Sequence, residues 1–275
     1  MRIKTKVVPN IKNIIAVSSC KGGVGKSTTA ANIALALKHL GHKVGVLDAD
    51  IYGPSQTVLF NIPKELEIVD YYNVAPKQAY DVSVMSINML VKDMDAMVWR
   101  GPMAAQTVEQ LLYNTAWPEL DYLIIDMPPG TGDIPLTLTQ VVKLTGAVIV
   151  TTPQEIALAD VRRGIEMFDK TNVNIFGIVE NMAMHTCSEC GHIEHIFGEN
   201  GGAAISKQFE VPLLGSLPLN KMIRSSSDAG MPIVAFDVES DASKTYIKIA
   251  EQIHNNVLQL QKTEEETEEQ QNVVE

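Results

Sequence analysis

The sequence predicts an α/β fold, a mostly parallel sheet with helices on both faces. Three observations predict it: seven short apolar, β-branched runs, stretches of helical spacing between several of them, and a glycine-rich turn after the first run. The runs are apolar throughout rather than alternating, as expected of strands covered on both sides.

The first run, Ile14 to Ser18, leads into Cys20-Lys-Gly-Gly-Val-Gly-Lys-Ser-Thr28, and helical spacing follows from Ser27 to Leu40. Val44 to Leu47 is the next strand and ends in Asp48-Ala-Asp50. Pro54 to Arg100 is the least regular stretch, with Pro63 and Pro76, and is expected to leave the sheet apart from the run Val82 to Ile87. Helix and strand then alternate: helices at Ala104 to Tyr113, Ile134 to Leu144 and Ala157 to Phe168, with strands at Tyr122 to Ile125, Ala147 to Thr151 and Ile175 to Val179. A strand at Leu213 to Leu217 and a helix at Lys244 to Leu260 complete the pattern. No linker-like change of composition interrupts it, so one domain is expected over residues 1–262. Residues 263–275 hold six glutamates and no basic residue, and an acidic, disordered tail is expected there.

Composition narrows the partners. The 275 residues are 45% apolar and 20% charged, and no apolar run approaches the ~18 residues of a membrane span. Arg2, Lys4 and Lys6 precede an apolar stretch, Ile14 to Val17, that is too short for a secretion signal, so a cytoplasmic protein is expected. Net charge is −11, and setting aside the six tail glutamates leaves −5. A negative surface repels phosphate backbones and anionic lipid, so neither nucleic acid nor membrane is an expected partner. Three cysteines make no disulfide framework in a chain of this length; the Cys187-x-x-Cys190 spacing suggests metal or redox chemistry.

The turn after the first strand carries the clearest chemistry. A strand, a glycine-rich turn and a helix point several backbone N–H groups and the positive end of a helix dipole at one spot, which suits a phosphate chain. Side chains at Gly22, Gly23 and Gly25 would hold the backbone away from phosphate oxygens. Lys26 can reach the β- and γ-phosphates, the Ser27 hydroxyl can bind Mg²⁺, and Lys21 adds a cation; Val24 and Thr28 complete the candidate site. The usual pattern has glycine where this chain has Cys20, which must therefore keep a negative φ or be strained; a small tolerated residue is its plainest reading. Two acidic strand ends, Asp48-Ala-Asp50 and Asp126, lie where open α/β sheets place ligands. Near a phosphate loop they can hold Mg²⁺, directly or through water, and orient an attacking water. Alone, each could equally be a helix cap.

The two-residue gap lets the sulfurs of Cys187 and Cys190 face one metal, and Gly191 permits the turn. Two thiolates fill half a tetrahedral set. A second copy could supply the other half for a 4Fe–4S cluster; zinc completed by His192, His195 or a second chain, a dithiol redox pair, and an idle loop are the alternatives.

The run Cys20 to Thr28 resembles the deviant Walker A motif of the MinD/ParA/nitrogenase iron-protein class of P-loop NTPases. With DADIYGPS, WRGPM, DYLIIDMPPGTGD, VTTPQ, GIVENM followed by C-x-x-C, and IFGENGG, the chain resembles the Mrp/ApbC iron–sulfur cluster carriers from about residue 10 to 237. The resemblance implies an ATP-binding, slowly hydrolysing homodimer that delivers a 4Fe–4S cluster to acceptor apoproteins. It implies catalytic roles for Lys21, reaching the partner's nucleotide, for Lys26, and for Asp50, which polarises the attacking water. Asp48 would support the Mg²⁺ shell and Asp126 would act through a metal-bound water. Asn181 would meet the adenine edge with Pro218 beside the base, and Cys187 and Cys190 would bridge the cluster between subunits. From its own position, Asn181 reads as a turn or cap residue. Competing readings are a MinD/ParA-like positioning or partition ATPase, a zinc-binding P-loop ATPase, and a reductase like the nitrogenase iron protein. No role follows for Arg100.

Overall fold

The computed structural model describes residues 7–90 and 101–274. Strand β1 (Ile11–Ser18) feeds helix α1 (Lys26–His39), which returns the chain to β2 (Val44–Asp48). A short helix α2 (Gln56–Leu59) and a hairpin of β3 (Glu67–Ile68) and β4 (Val74–Ala75) precede β5 (Lys77–Ala79) and β6 (Val82–Ser86). Next come α3 (Gly101–Asn114), β7 (Leu120–Asp126), α4 (Asp133–Val141), β8 (Gly146–Thr151) and α5 (Glu155–Lys170). The last part holds β9 (Ile175–Thr186), β10 (Ile193–Glu194), α6 (Gly201–Phe209), β11 (Leu213–Pro218), α7 (Lys221–Asp228), α8 (Ile233–Phe236) and α9 (Asp241–Val274).

One nine-stranded sheet organises these elements. Its order is β11-β9-β8-β1-β7-β2-β6-β5, parallel except for β5, and β10 pairs antiparallel with the far end of β9. Parallel neighbours need crossovers, and the helices that make them cover both faces. Alternation along β1 divides the core. Ile14 and Ala16 point to the layer of α3, α4 and α5, where Leu111, Leu138 and Phe168 are buried. Ile15 and Val17 point to the layer of α1 and α9, where Ile33, Leu37 and Ile253 are buried. The prediction of a mostly parallel sheet with helices on both faces is met.

Helix α1 starts where the phosphate turn ends. Gly25 caps it with φ 85°, and Lys38 and His39 sit in its last turn, where cations favour the carboxyl end of the dipole. Gly41, with φ 93°, ends it by turning the backbone left-handed.

Two elements differ from expectation. Part of the irregular stretch belongs to the sheet, because β5 turns directly into β6 at Tyr80 and Asp81, both with positive φ. That is the geometry of a tight two-residue hairpin, made here without the Asn-Gly or Asp-Gly pair that usually announces it. The acidic tail expected to be disordered instead continues α9 to Val274. Glu and Gln are good helix formers, and a helix already packed through Tyr246, Ile249 and Ile253 removes the nucleation cost. Trp99 and Arg100 lie outside the described residues, as do Arg2, Lys4 and Lys6. Among the described residues, no helix is long and apolar enough to cross a membrane.

Candidate functional site

The turn between β1 and α1 opens at the carboxyl ends of β1, β7 and β2. Its position is fixed from two sides: Gly130 N donates to Ser19 O at 2.8 Å, and Asn181 Nδ2 donates to Val24 O at 2.8 Å. Gly23 and Gly25 have φ of 80° and 85°, and a Cβ on Gly25 would fall 2.2 Å from Asn181 Nδ2. A Cβ on Gly22 or Gly23 would meet no protein atom. Both glycines border an open cavity of about 250 Å³ shared with Lys26, Ser27, Thr28, Asp50 and Gly53. Backbone amides, a lysine and a hydroxyl around an open space are what a phosphate chain requires.

Lys26 is buried. Its Nζ pairs with Asp126 Oδ1 and lies 3.3 Å from Asp50 Oδ2. Burial opposes the ammonium charge, but the attraction of Asp126 and Asp50 outweighs it and holds the pKa above the ordinary lysine value. Asp48 is fully buried, and burial together with the neighbouring Asp126 pushes its carboxyl up to about 7. This happens although Asp48 Oδ2 accepts hydrogen bonds from Gln56 N at 3.0 Å and Ser86 Oγ at 2.9 Å. Asp126 Oδ2 accepts from Gln56 Nε2 at 2.8 Å. The donor set of Ser27, Asp48 and Asp126 is all hard oxygen and holds only two carboxylates. That fits Mg²⁺, which keeps waters and substrate phosphates in its shell. Among the described residues, no group of three or more His, Cys, Asp and Glu forms an all-protein metal cage.

Beside the phosphate turn lies a second cavity, of about 390 Å³, walled by Asn181, Met182, Pro218, Leu219, Ile223 and Tyr246. The expected pair Asn181 and Pro218 thus share one wall next to Ser27 and Thr28. Asn181 also does something its sequence position does not suggest, bracing the phosphate turn from a strand at the other side of β8. Arg224 and Asp228, paired at 2.7 Å on α7, border the same cavity. Neither was legible in sequence, and nor was Gln56, whose one signal was a polar residue opening a helix eight positions after Asp48.

Cys187 and Cys190 lie in the turn between β9 and β10, and both thiols are free. Cys187 N donates to His192 O at 2.9 Å and Gly191 N to Cys187 O at 3.0 Å, with Gly191 at φ 74°. Hydrogen bonds from the backbone N–H groups of Cys190 and Glu189 lower the Cys187 pKa. Of the histidines considered as zinc ligands, His195 turns Nδ1 to Ala183 O at 2.9 Å and Nε2 to within 3.6 Å of Glu199. Among the described residues, no third His, Cys, Asp or Glu joins the pair in a group that could hold a metal. Cys20 stands apart, its sulfur packed over Gly164 of α5, where a Cβ would fall 2.2 Å from it. It is not among the residues with positive φ, and burial pushes its thiol up to about 12.

Comparison with known proteins agrees with this arrangement. A family model described as ParA, NUBPL iron-transfer P-loop NTPase, matches residues 10–254. An iron–sulfur cluster carrier protein of Pseudomonas fragi is 55% identical over 243 residues, covering 88% of this chain and 85% of that one. A nucleotide-binding protein of Archaeoglobus fulgidus, solved in complex with ADP, superposes with a TM-score of 0.74 at 38% identity, over 84% of this chain and 90% of that chain. The septum site-determining protein MinD of Pyrococcus horikoshii, with Mg-ADP, gives 0.63 at 21% identity over 88% and 96%, and speaks for the fold alone. The family match spans both the phosphate turn and the cysteine loop, and the chain belongs to the ParA, NUBPL iron-transfer P-loop NTPases.

Proposed function

We propose that this protein carries a 4Fe–4S cluster as cargo, binds ATP with Mg²⁺, hydrolyses it slowly and hands the cluster to acceptor apoproteins in the cytoplasm. The observation that carries the reading is the continuity of β9, which places Asn181 against the phosphate turn and Cys187 just beyond its end. The carrier names of close relatives and the family description support it.

In this reading the triphosphate lies along the turn from Lys21 to Thr28, with the base in the cavity of Asn181 and Pro218. Lys26 leaves Asp126 Oδ1 and Asp50 Oδ2 for the β- and γ-phosphates, which frees one oxygen of each carboxylate. Asp50 then orients water for in-line attack, while Ser27, Asp48 and Asp126 would hold Mg²⁺, which would supply charge neutralisation on the phosphates. Hydrolysis is slow until a partner completes the site, as a single chain lacks the second lysine that Lys21 of a homodimer partner would provide. Two thiolates per chain complete four iron ligands only in that homodimer, and cargo held by exposed half-sites can be released. ATP promotes release or loading by favouring one dimer arrangement over the other.

Anaerobic reconstitution with iron and sulfide is expected to give a brown protein with about four irons per dimer, while Cys187→Ser loses the chromophore and keeps nucleotide affinity. Stoichiometric zinc without that chromophore would overturn the reading.

A further inference from the structure

Gln56 has no place in the machinery described so far, yet it touches three parts of it. Its backbone N donates to Asp48 Oδ2 at 3.0 Å, and its Nε2 donates to Ser27 O at 3.1 Å and Asp126 Oδ2 at 2.8 Å. The side chain is fully buried, and among the described residues its Oε1 has no hydrogen-bond partner. The amide cannot turn over to relieve that oxygen, because Oε1 would then face two acceptors, the Ser27 carbonyl and the Asp126 carboxylate. A buried acceptor left without a donor costs free energy. Both observations indicate that the residue is oriented for a donor that arrives with the ligand.

We propose that Gln56 is a positioning residue for nucleotide-bound Mg²⁺: it fixes which oxygen of Asp126 faces the metal, and its Oε1 accepts a hydrogen bond from a water of the metal shell. The two oxygens of Asp126 are divided, Oδ1 to Lys26 and Oδ2 to Gln56. When Lys26 turns to the phosphates, only Oδ1 is released. Gln56 keeps Oδ2 and with it the rotation of the carboxylate. The same residue ties the backbone of Ser27 to the end of β2 through Asp48, so the two metal-binding carboxylates and the metal-binding hydroxyl keep one spacing. A neutral side chain is required, since a further anion beside Asp48 and Asp126 would repel both.

This inference rests on the Mg-ATP reading of the site, and one calorimetric series separates the two. ADP is titrated into wild type, Gln56→Met and Gln56→Glu, with Mg²⁺ and with EDTA. Wild type is expected to bind more tightly with Mg²⁺. Gln56→Met is expected to lose about tenfold in affinity with Mg²⁺ and less than twofold without it, and Gln56→Glu more than Gln56→Met. In an Asp126→Asn background, Gln56→Met is expected to add no further loss, as coupling through Asp126 requires. A mere structural defect would weaken both titrations equally and would overturn the proposal. An unchanged Mg²⁺ dependence in the variants would overturn it while leaving the nucleotide site intact. No Mg²⁺ dependence in wild type would overturn both. If Gln56→Met does not fold, Gln56→Glu decides alone by the same criterion.

Discussion

The three cysteines separate at the level of single residues, although they carry the same functional group. The Cys20 thiol, pushed up to about 12 by burial, is almost wholly protonated at neutral pH. Cys187, with backbone N–H groups aimed at its sulfur, sits below the usual thiol value. Alkylation with iodoacetamide at neutral pH is therefore expected to mark Cys187 and to spare Cys20 until the protein is denatured, as peptide mass spectrometry would read. Early modification of Cys20 would mean that the contact with Gly164 is open in solution. Sign and window follow for stability too. A thiol whose folded pKa lies above its ordinary value of 9.0 favours the folded state at lower pH, and that contribution is lost between about 9 and about 12.

Packing between elements explains why cysteine is tolerated where the motif has glycine. The phosphate turn would leave a gap over α5, and the Cys20 sulfur fills the space that the missing Cβ of Gly164 leaves. Gly164→Ala is expected to destabilise the fold by about 1–3 kcal/mol, because a methyl would overlap that sulfur. Cys20→Ala should return most of the loss in the double variant, since the Cys20 Cβ itself would be 3.9 Å away. Additive losses in urea unfolding would show that the two positions do not meet. The same logic makes Gly25 irreplaceable for two reasons: its φ of 85° and the Asn181 amide lying where a side chain would begin.

At the scale of the whole molecule, three carboxylates from two strand ends, Asp48, Asp50 and Asp126, gather around Lys26. Asp48 has a folded value of about 7 against an ordinary 3.8, so between those limits the folded state binds the proton more tightly than the unfolded chain. Stability of the nucleotide- and metal-free protein from this group therefore falls as pH rises from about 4 to about 7. Asp48→Asn is expected to flatten that part of the unfolding profile, with guanidinium midpoints between about pH 4 and about pH 7 as the measurement. A slope as steep in the variant as in wild type would place the stress elsewhere.

Local signals were enough for much of this protein. Parallel-sheet strands carry uninterrupted apolar runs, and the phosphate turn is a contiguous motif, so β1, β2, β7 and β8 and the residues from Lys21 to Thr28 could be read directly. The Tyr80–Asp81 turn could not, since its positive φ values are imposed by pairing of β5 with β6 rather than by residue type. Nor could the continuation of α9, which depends on a packed helix upstream of the glutamates. Only the tertiary structure joined Asn181 to Val24, 157 residues away, Gln56 to Asp126, 70 away, and Cys20 to Gly164. The physical reason is the same in each case. Composition and spacing along the chain specify which groups can bond, whereas a buried donor finds its acceptor through the order in which strands are laid side by side.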